Sequence, residues 1–411
     1  MALLLSSNGG SVTAWRTAED FTAAYRQTLL EMAASDHDNS SEAVFSETCA
    51  ALETAITTHQ DLLMRLNGLI EEVVAATAST RLNELTGAYY GDLYRHFGRF
   101  RSASAFYQMS MTFLRQISAV IIAQTTDKLG ISADDLPEMA LIAIGPAGRC
   151  EYSPYCPLQI LLVHGEATAS QIRNITRFCQ TLHAGFEDAG LAIDPVVTPC
   201  NANWRGTLSE WQQRGEEGLH SLTDNKLIDF CRLIDQYPLY PVEGLAGELK
   251  QISSTILSGN RPALANMIVR MTSLSNGIGF MGRLKLERTG SERGKFSLLN
   301  HGLLPLSAAL STLALIKKSA ATSNCERIHE LLKRRELDAG QAEIMLETWR
   351  ELHTLRLSLE DASRTDASPN RPIVINPNEL TAEQLQSLKK NLESVAVIQR
   401  HVLITFSGMG E

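Results

Sequence analysis

The sequence lacks the excess of positive charge that proteins use to hold nucleic acids or anionic membranes. Its 411 residues include 37 Lys and Arg against 46 Asp and Glu, which gives a formal net charge of −9. Phosphate-rich partners attract basic surfaces, so this balance argues against a general nucleic-acid or membrane-binding role. We therefore expect no nucleic-acid partner and no membrane partner.

Long apolar runs and a recognisable targeting segment are also missing. No run approaches the roughly 20 apolar residues that cross a bilayer. The first ten residues, MALLLSSNGG, have no basic stretch ahead of a long apolar core. This pattern predicts a cytoplasmic protein. Hydrophobic residues make up 44% of the chain, which is enough for the cores of two or three domains.

Sequence signatures of several enzyme classes are absent as well. The seven cysteines contain no Cys-x-x-Cys pair, and their odd number and scatter are typical of reduced thiols. We find no nucleophilic triad signature, zinc-hydrolase motif, phosphate-binding P-loop or dinucleotide fingerprint. We therefore assign no catalytic residue.

One stretch near the middle of the chain has the pattern strand, tight loop, strand. The apolar run that includes Leu141 and Ile144 ends in Gly145-Pro146-Ala147-Gly148-Arg149, and a second apolar run begins at Ile160. Two glycines so close together let the backbone approach a bulky anionic ligand. Arg149 places a positive charge beside them, so the stretch is a candidate anion site.

The rest of the chain has mainly helical periodicity. Apolar residues recur at three- and four-residue intervals before residue 130 and again after residue 249, which is the spacing of amphipathic helices. We predict an α+β fold, a mostly helical protein around a small mixed sheet. Its predicted parts are an N-terminal tail and helical bundle (1–135), a sheet domain (136–247) and a helical C-terminal domain (248–411).

The central stretch resembles the nucleotidyltransferase motif of the polymerase-beta superfamily, in the form found in relatives of the PII-protein uridylyltransferases. That motif reads strand, Gly-Ser-x-Gly-Arg-x-Glu, short loop, and Asp-x-Asp on the next strand. The matching residues are Gly145, Gly148, Arg149 and Glu151. The serine and the two aspartates are replaced by Pro146, Pro157 and Gln159.

These replacements remove groups that the chemistry of the family needs. Residues two apart on a strand point to the same side, so Asp-x-Asp sets two carboxylates together to hold the magnesium ions that neutralise a triphosphate. Pro157 and Gln159 supply no carboxylate, and Pro146 offers a phosphate neither a hydroxyl nor an N–H. We assign no certain cofactor. Magnesium and a nucleoside triphosphate are implied only for an active enzyme.

Further matches continue the resemblance through the chain. Asn201, Trp204 and Arg205 resemble the family's Asn-x-x-Trp-Arg, which implies contacts to a nucleotide base or phosphate. The alternative is a tryptophan-anchored turn between the sheet and a helix. Residues 191–198 are predicted to be a strand, in which Asp194 is either the third carboxylate that the superfamily often supplies or a turn residue. From about residue 249 onward the helices resemble the C-terminal domain proposed to bind substrate in this family.

The predicted nucleotide site combines the central motif with the later turn. Its members are Gly145, Gly148, Arg149, Glu151, Asn201, Trp204 and Arg205. The metal ligands stay unknown, with Glu151 and Asp194 as the candidates. In the C-terminal helices, Arg327 and Arg356 are candidates either for anion binding or for ion pairs between helices.

Three positions depart further from the family pattern. An Asp-x-Arg pair is matched by Asp229 and Arg232, with one residue more between them. An arginine expected in a C-terminal helix appears as Ser311. The charged segment 285–295 is predicted to be a loop that either forms a lid or is simply solvated. The loss of charged groups in two domains favours a relaxed functional constraint.

The leading interpretation is a catalytically degenerate nucleotidyltransferase-like protein with a regulatory or binding role. Its candidate partners are a regulatory protein and a nucleotide. The alternative is an active enzyme that transfers a nucleoside monophosphate to a protein or small-molecule acceptor, with Glu151 and Asp194 as metal ligands. A third interpretation is a helical interaction scaffold in which the sheet is only structural. An open basic cleft beside Arg149 would favour nucleotide binding, and a filled apolar one would favour the scaffold.

Overall fold

The computed structural model describes residues 39–220, 232–241, 244–259, 261–364 and 373–408. Three long helices come first: α1 (Asn39–Ala75), α2 (Ser79–Phe100) and α3 (Ala103–Leu129). Ser102 caps α3, because its hydroxyl accepts a hydrogen bond from the amide of Ala105. The apolar stripes of these helices face the core, where Phe106 and Phe113 are fully buried.

A four-stranded mixed sheet follows these helices. Its strands are β1 (Met139–Ile144), β2 (Gln159–His164), β3 (Arg205–Gly206) and β4 (Gln236–Tyr240), in the spatial order β3-β2-β1-β4. β1 is antiparallel to both β2 and β4, whereas β3 is parallel to β2. The small mixed sheet among many helices confirms the predicted α+β class.

One edge of this sheet, the motif edge, is formed by Ile144, Gln159 and Gln236. Ile144 ends β1, and its partners Gln159 and Gln236 begin β2 and β4. The one-turn helix Gly145–Gly148 therefore starts where these two strands begin. Asp235, directly before β4, lies at the same edge.

Apolar side chains cover both faces of the sheet. Leu141 and Ala143 belong to a core that they share with α3 and with α4 (Ala169–Asp188). Ile142 and Ile144 point the other way, toward α5 (Leu208–His220) and α6 (Leu245–Gly259). A strand buried on both faces reads as a continuous apolar run, which is why β1 and β2 were recognisable in the sequence.

Residues 191–198 do not form the strand that we predicted. Among the described residues, this segment forms one isolated β-bridge, between Ile193 and Leu158, which lies directly before β2. Pro195 has no N–H to continue a ladder. Oδ1 of Asp194 accepts the amides two and three residues later, both at 2.9 Å, so the chain turns here. Asp194 is therefore a turn residue, the second of its two predicted alternatives.

The C-terminal part is a bundle of helices with a two-stranded ribbon. Its elements are α7 (Arg261–Thr272), β5 (Phe296–Ser297), α8 (Leu304–Ile316), α9 (Asn324–Lys333), α10 (Ala339–Ala362), β6 (Val374–Ile375) and α11 (Ala382–Gly408). β5 and β6 are antiparallel. A capping box precedes α11: the amide of Thr381 donates to Oε1 of Gln384, and the amide of Gln384 donates to Oγ1 of Thr381.

Among the described residues, one helical stretch is long and apolar enough to cross a bilayer. This stretch, Leu299–Ile316, has 18 residues, of which 72% are buried inside the protein. Asn300 and His301 interrupt it, which is why the sequence showed no long apolar run. A helix that is apolar on all sides is expected at the centre of a bundle.

Candidate functional site

The two glycines of the central motif are required by the backbone. Gly145 has φ +61°, in the left-handed region that favours glycine. A Cβ at Gly148 would lie within 3.0 Å of the backbone carbonyl of Asp235, so only glycine lets the turn pack on the start of β4. The amide of Arg149 donates to the carbonyl of Gly145 at 3.0 Å. This hydrogen bond from the Arg149 amide closes the turn.

Gln159 occupies the space in front of the glycine turn. Its Oε1 lies within 3.0 Å of the point where a Cβ of Gly145 would stand. Its Nε2 donates to Oδ2 of Asp194 at 2.9 Å. The motif edge therefore holds a neutral amide between the turn and the nearby carboxylate.

The guanidinium of Arg149 lies between two carboxylates. Its Nε donates to Oε2 of Glu151 at 3.0 Å, and its NH1 donates to Oδ2 of Asp235 at 2.8 Å. Only 13% of the side chain is exposed. Burial opposes the charged form, but Glu151 and Asp235 outweigh it and raise the pKa of Arg149. The cation of the motif is thus neutralised from within the protein.

Glu151 connects the motif to the C-terminal helices. Its Oε1 accepts hydrogen bonds from Nδ2 of Asn324 and Nε1 of Trp349, both at 2.8 Å. Nε2 of His353 lies 3.6 Å from the same oxygen. Burial favours the protonated acid, yet Arg149 and the other neighbours outweigh it and lower the pKa of Glu151 to about 2. An ionised, buried carboxylate therefore ties α9 and α10 to the sheet.

Asp235 makes a similar connection to α8 and α9. The hydroxyl of Ser311 donates to its carboxylate, with distances of 2.8 and 3.0 Å to the two oxygens. NH1 of Arg327 lies 2.8 Å from Oδ1, and all three side chains are buried. Arg327 thus forms an ion pair, but its partner precedes β4 and does not belong to a helix, unlike the pair between helices given as its second alternative.

Asp235 was not among the residues predicted from the sequence. We matched the family's Asp-x-Arg pair to Asp229 and Arg232. Asp229 lies outside the described residues, whereas Asp235, six residues later, is the carboxylate that contacts the motif. The available signal was its position directly before the apolar and aromatic run of β4, since acidic residues at strand ends are frequent site components.

A second buried cluster adjoins the first. Arg356 in α10 donates to Oε1 of Glu360 at 2.8 Å and to the hydroxyl of Ser153 at 2.7 Å. The hydroxyl of Tyr94, in α2, donates to Oε2 of Glu360 at 2.8 Å. Burial opposes the charge of Arg356, but Glu360 outweighs it and raises the pKa of Arg356. This cluster therefore joins three parts of the chain: the N-terminal helices, the segment around the sheet, and the C-terminal helices.

The later part of the predicted nucleotide site is not brought to the glycine turn. Arg205 pairs with Leu162 in the second half of β2, away from the motif edge. Trp204 is buried in the core under α5. Asn201 caps a short 3-10 turn, because its side chain accepts the amide of Asn203 at 3.1 Å. The arrangement is a tryptophan-anchored turn, the alternative given for these residues.

The carboxylates at the motif edge do not gather around a common point. In the described part of the chain, no group of three or more His, Cys, Asp and Glu side chains is placed to hold a metal ion. The candidate ligands Glu151 and Asp194 are each engaged by donors of their own, such as Arg149 and Gln159. Magnesium needs several oxygen ligands close together. The residues present therefore do not fit this ion.

The charged side chains beside the motif, among the described residues, pair with one another. They form the arginine–carboxylate network, whose members are Arg149, Arg327, Arg356, Glu151, Asp235 and Glu360. Three cations face three anions, and each charge has at least one partner of opposite sign. Such a network holds elements in one arrangement and leaves little unsatisfied charge for a ligand.

Comparison with known proteins agrees with this architecture. A search of curated proteins finds no match. Two family models match the chain: "Putative nucleotidyltransferase DUF294" over residues 93–225, and "Putative nucleotidyltransferase substrate binding domain" over residues 261–406. The first runs from within α2 through β1, β2, β3 and α5 and leaves out β4, and the second extends from α7 into α11. The chain therefore belongs to this nucleotidyltransferase family, with its helical C-terminal substrate-binding domain.

Proposed function

We propose that this protein is a catalytically silent nucleotidyltransferase-like protein with a regulatory or binding role, related to the PII-protein uridylyltransferases. It works in the cytoplasm by contacting a partner protein. The observation that carries the proposal is the pair Pro157 and Gln159 at the positions of the metal-binding aspartates, with Gln159 hydrogen-bonded to Asp194. Without adjacent carboxylates the motif edge has no group that holds magnesium against a triphosphate.

The engagement of Arg149 supports the same proposal. A cation that holds a phosphate must present its N–H donors to the ligand. Here Nε and NH1 of Arg149 already donate to Glu151 and Asp235. A nucleotide that displaced either carboxylate would remove a partner of opposite charge from a buried group, which opposes binding. A nucleotide therefore competes poorly for this arginine.

The proposed relation to the uridylyltransferases and the cytoplasmic location rest on the sequence. The matching features occur along the chain in the order of that family. They are the glycine turn with Arg149 and Glu151, the Asn-x-x-Trp-Arg segment and the C-terminal helices. The net charge of −9 favours an aqueous compartment without a phosphate-rich partner.

A transfer assay with labelled nucleotide tests the proposed absence of catalytic activity. Wild type and Asp194→Asn are incubated with α-phosphate-labelled ATP, UTP, CTP or GTP, magnesium, and a cell extract that supplies acceptors. We expect no label above the extract alone with either protein, since Asp194 is engaged as a turn residue. Magnesium-dependent labelling that disappears in Asp194→Asn would overturn the proposal and establish an active transferase.

Calorimetry with the same nucleotides gives a second, independent measurement. We expect no saturable binding at about millimolar nucleotide, with or without magnesium. Magnesium-dependent binding that Arg149→Ala abolishes would contradict the proposal. Because Arg149 is also structural, the variant is first compared with the wild type by thermal unfolding in the absence of nucleotide.

A further inference from the structure

The loop between α7 and β5 exposes two large apolar side chains at its tip. Phe280 is 88% exposed and Met281 78%, the highest values among the large apolar residues of the described chain. Met281 has φ +54° and ψ 32°, in the left-handed region that residues other than glycine seldom enter. A strained backbone that turns apolar side chains into water is frequent at binding sites.

The tip is held on an ordered base. The amide of Gly279 donates to the carbonyl of Arg283 at 2.7 Å, and the amide of Lys285 donates to the carbonyl of Gly277 at 2.8 Å. An isolated antiparallel bridge also joins the two arms. A partner that binds such a preformed loop loses little free energy to ordering it.

A basic pocket opens beside this tip. Its volume is about 690 Å³, and Phe280, Arg283, Lys285 and Arg288 are among its lining residues, with Glu287 as an acidic member. Within the described residues, the guanidinium groups of Arg283 and Arg288 form no ion pair. Three cations and one carboxylate thus give a positive site on a protein whose net charge is −9. The positive charge of this site favours the binding of an acidic ligand.

We propose that this loop is a docking surface for an acidic segment of a partner protein. A bulky apolar side chain of the partner packs on Phe280 and Met281, while its carboxylates bind in the basic pocket. Arginine, methionine and aromatic side chains are enriched at the centres of protein interfaces, and a pocket of this size accommodates a few side chains. The inference extends the proposed binding role and rests on it, but it does not require that the protein lacks nucleotidyltransferase activity.

An anionic membrane fits the same surface less well. A bilayer presents a flat layer of headgroups and attracts cations that lie on one side of an element. Here the cations line a concave pocket, and Glu287 among them is repelled by anionic lipid. A protein segment is able to enter the pocket and avoid Glu287.

Selection from random displayed peptides tests the proposal even though the partner is unidentified. Short peptides are selected on the full chain and counter-selected on the double variant Phe280→Ser/Arg288→Gln. We expect the enriched sequences to combine net negative charge with a bulky apolar residue. No enrichment, or enrichment of neutral or basic sequences, would overturn the proposal.

Fluorescence anisotropy of one enriched, synthesised peptide then measures the contribution of each group. We expect Phe280→Ser and Arg288→Gln each to weaken binding about tenfold, and added salt to weaken it further. Ile344→Ser and Arg350→Gln are the matched controls, because they remove an exposed apolar residue and an exposed cation elsewhere. Equal affinity for all four variants would overturn the proposal.

Two other occupants are distinguished by separate measurements. Co-sedimentation with phosphatidylserine-containing vesicles that is lost in Phe280→Ser would replace the protein partner by a membrane. A concentration-dependent dimer that the same substitution dissociates would replace it by a second copy of this chain. Either result would overturn the proposal. The nucleotide-transfer assay on these variants tests separately whether the protein lacks nucleotidyltransferase activity.

Discussion

At the residue scale, Glu151 has an unusual number of donors around one carboxylate. It accepts from Arg149, Asn324 and Trp349, and its side chain is only 2% exposed. An amide at this position would keep the shape but lose the charge, so Arg149 would be left with one anionic partner. The donors to one of the two carboxylate oxygens would also face an N–H₂ group. We expect Glu151→Gln to lower the free energy of unfolding by about 3 kcal/mol.

Urea denaturation at neutral pH measures this change. The matched control is Glu72→Gln, because Glu72 forms an ion pair with Arg81 but is 53% exposed. An exposed pair contributes little, and the control should change the free energy by less than about 0.5 kcal/mol. If both substitutions have the same effect, the network does not stabilise the fold as described.

His96 gives the protein a dependence on pH. Its Nε2 lies 2.9 Å from Nδ1 of His59, and burial, followed by the nearby His59, lowers the pKa of His96 to about 4 from its ordinary value of 6.5. Between these values the unfolded chain binds more protons than the folded one, so stability falls as the pH falls from 6.5 toward 4. Burial lowers the pKa of His353 to about 4 as well, which acts in the same direction.

We therefore expect His96→Gln to lose less stability than the wild type when the pH falls from about 7 to about 5. Urea unfolding at both pH values gives the two differences. His329→Gln, which alters an exposed histidine of α9, is the control and should behave like the wild type. Identical losses in all three proteins would show that His96 does not titrate on unfolding.

The sequence located the motif but not its partners. Gly145, Gly148, Arg149 and Glu151 were recognisable because they lie within seven residues of one another. Their contacts lie far along the chain: Asp235 is 86 residues from Arg149, and Trp349 is 198 residues from Glu151. Local periodicity carries no information about such distant contacts. The network was therefore beyond prediction from the pattern alone.

At the scale of elements, the glycine turn fixes the distance between β1 and β4. A methyl group at Gly148 would meet the Asp235 carbonyl, which is backbone and cannot turn away as the end of a side chain could. We expect Gly148→Ala to lower the free energy of unfolding by about 2 to 4 kcal/mol. The substitution also separates Arg149 from Asp235, because both depend on the same close approach.

Gly247→Ala is the control for this prediction, measured in the same urea titration. Gly247 lies inside α6, and a Cβ there meets nothing within 4 Å. Alanine favours a helix over glycine, so this variant should gain up to about 1 kcal/mol. A loss at Gly247 equal to that at Gly148 would point to a general intolerance of substitution instead of a specific contact.

Elements with regular local patterns were predicted well, and irregular ones were not. The strands β1 and β2 and the long helices had clear periodicity. β4 was missed because Pro238 interrupts its run, and proline usually excludes a central strand. β4 lies at the end of the strand order and pairs only with β1 in the described sheet, so a missing N–H at Pro238 is tolerated.

At the scale of the whole molecule, buried polar contacts join the three parts. Tyr94 belongs to the N-terminal helices, Ser153 to the sheet domain, and Glu360 to the C-terminal helices, and the three are hydrogen-bonded through Glu360. Separate unfolding of any one part would leave buried groups of the others unpaired. We expect a single calorimetric transition, with calorimetric and van't Hoff enthalpies nearly equal.

Glu360→Gln should weaken this coupling and broaden or divide the transition. Glu351→Gln is the matched control, since Glu351 lies on the same helix but on its exposed surface, beside Arg350. The control should leave one transition. Two resolved transitions in the wild type would contradict the description of the protein as one cooperative unit.

The hydrogen bond from Gln159 to Asp194 also bears on the evolution of this chain. An aspartate at position 159 alone would set a second carboxylate against Asp194, and without a bound metal the two charges repel. The change at position 159 therefore lowers stability before magnesium is able to bind. Under the proposed function, this hydrogen bond therefore opposes the gain of an acidic pair, because the first step toward the pair at position 159 costs stability.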